Sequence, residues 1–110
     1  MAKIFLDLEK IKRPNSGLGQ FCTHLSQSIL SQVDKGFVGV YIPKIANDNY
    51  DGVEKKQWKP IHKITKVSVD TLVWHSFHQE AVYFPVDNQV KRILTIHDLN
   101  FLDKYKNKLD

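Results

Sequence analysis

Only one cysteine, Cys22, occurs among the 110 residues, so no disulfide can close within the chain and no cysteine cluster can grip a metal. A lone thiol suits a reducing compartment, which makes the cytoplasm the expected location. Long apolar runs are missing too. None approaches the ~20 residues of a membrane-spanning helix, and the opening Met1-Ala2-Lys3-Ile4-Phe5-Leu6-Asp7 meets an acid too early for a secretory signal. Neither sign of charge dominates: the net charge of +4 favours anionic ligands or acidic headgroups but is too small to indicate nucleic acid. Five glycines and four prolines are too few for a collagenous or low-complexity chain, and 42% hydrophobic content is too much for a disordered one. What remains is one globular domain, residues 1–110, with enough material for one core.

The apolar pattern orders that domain. Ile4, Phe5, Leu6 and Leu8 make a short buried strand over residues 3–8, with Asp7 near its end. The polar, basic stretch Glu9 to Gly19 reads as a loop. From Leu18, apolar residues recur at Phe21, Cys22, Leu25, Ile29, Leu30 and Val33, which trace one face of a helix ended by Asp34-Lys35-Gly36. Phe37 to Ile42 is a second strand, so the first third of the chain is a βαβ unit, and such units are parallel with a right-handed crossover. Residues 44–63 read as a long connection rich in turn formers and lysine. Further strands are expected at 64–69, 71–77 and 90–96, with a helical turn at 79–84 and a helical or frayed tail from Leu99.

Three groups with chemical potential each follow an expected strand: the loop Asn15-Ser16-Gly17-Leu18-Gly19, the pair His75 and His78, and the dipeptide His97-Asp98. A parallel sheet carries all three to its carboxyl edge, where ligands bind in such folds. Glycines let backbone N–H groups approach an anion, and the helix start adds partial positive charge, with Lys12 and Arg13 close by. The plainer alternative is that Ser16 caps the helix and the glycines make a tight turn. Gly17-x-Gly19-x-x-Cys22 departs from the dinucleotide fingerprint, and no acid closes the second strand, which argues against NAD; no cofactor is expected. His75, His78 and His97 lack the helical spacing or second motif of a zinc site, so no metal is expected, and a metal-dependent hydrolase fragment is the weakest reading. His97 suits a neutral imidazole donating to a substrate hydroxyl, with Asp98 to orient it, although a satisfied structural histidine fits equally. Trp58, Trp74, Phe77, Tyr83 and Phe84 do not alternate with a basic stripe, so they read as packing or pocket wall and not as a nucleic-acid platform. The lysines at 55, 56, 59, 63 and 66 form a solvated face and leave a peripheral contact with the inner face of a membrane open.

Asp7 ending the first strand, then Asn15-Ser16-Gly17-Leu18-Gly19-Gln20-Phe21 running into Leu25 and Leu30, resembles the N-terminal domain of a GT-B glycosyltransferase of family 4, also called group 1. Val73-Trp74-His75-Ser76, Phe84-Pro85 and Leu94-Thr95-Ile96-His97-Asp98-Leu99-Asn100-Phe101 are similar to that family's later strands and its His-Asp-Leu segment; Gln20 stands where the family usually has arginine. The resemblance implies a Rossmann-like α/β domain with a mainly parallel sheet flanked by helices, one incomplete half of a GT-B architecture. It implies a retaining, metal-independent transferase that moves a sugar from a nucleotide-sugar donor to a glycan or lipid-linked acceptor. By position, Gly17 and Gly19 would approach the donor diphosphate, His97 the transferred sugar, and His75 the acceptor. The donor half has no counterpart in this sequence, so a truncated piece with little activity of its own is expected, and a homodimer that covers what the rest would bury. The reading from a different class is a stand-alone flavodoxin-like module that binds an anion or a partner without catalysis.

Overall fold

The computed structural model describes residues 2–13, 15–78 and 81–95; His97, Asp98 and the expected tail lie outside the described residues. Five strands, β1 (Ile4–Asp7), β2 (Val38–Ile42), β3 (Glu54–Gln57), β4 (Val73–Ser76) and β5 (Lys91–Leu94), make one sheet in the order β3-β2-β1-β4-β5. Every pairing is parallel. With the helices α1 (Gly17–Gln32) and α2 (His62–Thr65), this is a Rossmann-like α/β fold. One in-register row crosses the whole carboxyl edge: Lys56, Tyr41, Asp7, Ser76 and Leu94.

Side chains alternate between the two faces of the sheet, and each face has its own core. On the α1 side, Leu6, Leu8, Val40 and Ile42 pack with Cys22 and Leu30 of the helix and with Phe77. Phe21, Cys22, Leu25, Ile29 and Leu30 of the expected stripe form this face of α1, whereas Leu18 is not part of this core and Val33 falls beyond the last turn and is exposed. Ser26 joins the stripe unforeseen; its hydroxyl is buried because it lies 2.7 Å from the Tyr50 hydroxyl. The opposite face is aromatic. Phe5 stacks on Trp74 with rings 7° from parallel, and Tyr41 leans on Trp74 and Tyr83. Gly39 makes room for this layer, since a Cβ there would meet the Phe5 ring at 2.5 Å.

Four expectations need correction. The Glu9–Gly19 stretch is not all loop: a 3₁₀ turn at Glu9–Lys12 buries Ile11, and α1 already begins at Gly17, where Ser16 caps it. The 44–63 connection contains a seven-residue 3₁₀ segment, Lys44–Tyr50, and then β3, whose side chains are polar because it is the sheet's outer strand. Residues 64–69 are not a strand. Ile64 is exposed on α2, Lys66 ends that helix at φ 65°, and only Val67 makes a single bridge, to Pro85. Residues 81–84, the described part of the expected helical turn, form no helix.

Candidate functional site

The order of strands reverses between β1 and β4: from β1 the chain goes outward through β2 to β3, then returns to the other side for β4 and β5. A crevice opens beyond the carboxyl ends of strands at such a switch point. Here it is a cleft of about 300 Å³ including open solvent, lined by Asp7, Glu9, Lys10, Cys22 of α1, Phe77, His78 and Tyr83.

Asp7 is the most unusual group in it. Its side chain is 7% exposed, and one carboxylate oxygen accepts the Glu9 N–H at 3.2 Å. Glu9 takes the nearby cations: Lys12 lies 2.6 Å and Lys10 3.6 Å from its carboxylate. Burial therefore raises the Asp7 pKa from 3.8 to about 7, opposed by the Glu9 N–H, with the Glu9 charge adding to the rise and Lys10 opposing it. On the adjoining strand, in register, Ser76 is 1% exposed and its hydroxyl has no hydrogen-bond partner. Cys22 is pushed up to about 12 by burial, then by the Asp7 and Glu9 charges, so it is an inert thiol.

A second hollow adjoins the cleft and shares Lys10 with it. Lys10, Lys12, Arg13, Ser16 and Leu18 line about 500 Å³ of open space over the start of α1. Ser16 closes the turn: its hydroxyl donates to the Arg13 carbonyl at 2.8 Å and accepts the Gly19 N–H at 2.9 Å. The two glycines now part company. A Cβ on Gly19 would run into the Arg13 carbonyl, so its absence is required by the turn itself. A Cβ on Gly17 would meet nothing within 4 Å, so packing does not explain it. Gln20 already donates to the Ser16 carbonyl, which leaves the N–H groups of Gly17 and Leu18, ahead of the first intrahelical bonds, as donors for a ligand.

The anticipated residues are thus partly assembled. Ser16 and Leu18 line the basic hollow, Gly17 and Gly19 are their neighbours in the first turn of α1, and His78 stands at the cleft. His75 belongs to β4 and borders neither: its Nε2 lies 2.6 Å from the Thr95 hydroxyl, its ring meets Phe77 edge-on, and burial lowers its pKa. Asp7, Glu9 and Lys10 were missed as site residues, although an apolar strand that ends in an acid was the available signal. Among the described residues no three His, Cys, Asp or Glu side chains converge as metal ligands, and no helix is long and apolar enough to cross a membrane. Compared with models of protein families, with curated proteins and with solved structures, the chain matches none of them.

Proposed function

We propose that this domain is the acceptor-side half of a retaining sugar transferase, which moves a hexose from a nucleotide-sugar donor to a glycan or lipid-linked acceptor. The observation that carries the reading is the basic hollow at the start of α1, open above Gly17 and continuous with the switch-point cleft through Lys10. A donor diphosphate seated there would take the Gly17 and Leu18 N–H groups, the partial positive charge of the helix start, and the cations of Lys10 and Arg13. Those interactions strengthen as the leaving group gains charge, which is what lowers the barrier of a dissociative, oxocarbenium-like transfer. A donor-binding half must face this edge to complete the site. His97 and Asp98, outside the described residues, are assigned the transferred sugar under this reading. The exposed lysines at 55, 59, 63 and 66 support a lipid-linked acceptor, because they would meet acidic headgroups.

Titration with sodium pyrophosphate, followed in amide spectra, tests the hollow. The expected outcome is saturable shifts at Lys10, Lys12, Arg13 and residues 16–19, lost in Gly17→Val while the rest of the spectrum stays in place, since a Cβ at that position faces open space. Shifts elsewhere, or unchanged binding in Gly17→Val, would overturn the reading. The non-catalytic alternative uses the same hollow, and sugar transfer by the protein together with its donor half separates the two.

A further inference from the structure

Asp7 combines features that ordinary structural carboxylates rarely share. It stands at the tip of the central strand, beside the point where the sheet order reverses, and it borders a cleft. It is almost wholly buried, yet both neighbouring lysines are held by Glu9. The hydroxyl of Ser76, next to it in register, is buried without a partner. A carboxyl kept out of water without a cation of its own is costly, and such groups concentrate where a ligand completes them.

We infer that the switch-point cleft is a hydroxyl-binding subsite in which the Asp7 carboxylate accepts a hydrogen bond from one hydroxyl of a neutral sugar. The sugar-transferase reading supplies the class of ligand, and the inference rests on it to that extent. The cleft, about 300 Å³ including open solvent, places Lys10 and His78 along with Asp7 in its lining, so a sugar that enters it can turn one hydroxyl toward the carboxylate. An anion is disfavoured at the same place by Asp7 and Glu9, so phosphate belongs in the basic hollow and the uncharged acceptor in the cleft. Asp7 is here a positioning and binding group, with no bond made or broken.

A hydroxyl donates more strongly to the carboxylate than to the neutral acid, so affinity rises with pH through the Asp7 midpoint near 7. The groups that face Asp7 are Glu9 and Lys10 from the following turn, Cys22 from α1, Tyr41 from β2, and His78 and Tyr83 from the segment after β4. Burial raises Cys22 to about 12 and pushes the Tyr41 hydroxyl up as well, so neither titrates near neutrality. The carboxyl carbon resonance of Asp7 reports the ionisation of that carboxyl and of no other group.

The experiment is a titration of the whole chain with methyl α-D-glucopyranoside, reading that carbon and the amides of Glu9, Lys10, Phe77 and His78. Expected are saturable shifts, a lowered Asp7 midpoint, and binding about tenfold tighter near pH 8 than near pH 6, the ratio of ionised fractions for a midpoint of about 7. Asp7→Asn should flatten that dependence. No saturable shift at either pH, an unmoved Asp7 midpoint, or an equal slope in a folded Asp7→Asn protein would each overturn the subsite. Should the variant not fold, the wild-type carboxyl titration decides alone. Pyrophosphate binding is measured in parallel: its loss with glycoside binding intact sinks the transferase reading, and the converse sinks only the subsite.

Discussion

Gly17 and Gly19 sit two residues apart on the same turn, yet the fold asks different things of them. Gly19→Ala forces a methyl group against the Arg13 carbonyl that Ser16 also holds, so a loss of about 1–3 kcal/mol is expected in urea unfolding. Gly17→Ala, facing open space, should stay within about 0.5 kcal/mol of the parent or exceed it slightly, because alanine suits a helix better. Asp7 makes stability depend on pH in an unusual direction. Unfolded, it ionises near 3.8, and folded near 7, so between those values the unfolded chain gives up its proton first. Its stabilising contribution is complete below about 3.8 and is lost as pH rises to about 7. Asp7→Asn should remove that slope and unfold at higher urea than the parent at mildly alkaline pH, by a few kcal/mol, while Oδ1 still accepts the Glu9 N–H.

At the scale of elements, α1 depends on its first turn. Ser16→Ala removes both the cap of the Gly19 N–H and the bond to the Arg13 carbonyl, and should cost about 1 kcal/mol, seen as a lower midpoint with an unchanged m-value. The helix and strands β1, β2 and β4 were legible in the sequence because their side chains are sorted by burial: Leu6 and Leu8, Val40 and Ile42, Cys22 and Leu30 meet in one core, whereas β5, exposed throughout, was legible only as a β-rich run. β3 was not. Glu54, Lys55, Lys56 and Gln57 join the sheet at its rim with no apolar side chain among them, where charge keeps further strands from adding, and a charged rim looks like a loop. Ile64, Val67 and Val69 imitated a strand because apolar spacing was the only cue, whereas Ile64 in fact points to solvent from α2. The site divides in the same way. A glycine turn after a strand announces itself, but Asp7 gains its character chiefly from burial, and the strands that flank it, β2 and β4, lie far away in sequence and beside it only through register.

Across the whole molecule the two rims of the sheet are unlike. β3 is charged, while β5 leaves Ile93 and Leu94, on opposite faces, each 48% exposed. An outer strand with apolar side chains on both faces is a template for another chain, so the homodimer proposed for this domain should form along β5. Sedimentation velocity should then show association that grows with concentration and is relieved by Ile93→Lys; a monomer at all concentrations would remove the dimer from consideration. The central position of β1 has a further consequence for how the domain comes into being. Strand β1 has one neighbour, β2, that follows it after α1, and another, β4, that follows only after β2, β3 and α2 have been made. One flank of β1 can zip up on the ribosome while the other waits with its hydrogen-bonding groups unmet, so the Asp7 rim is finished late, when the far half of the sheet swings in.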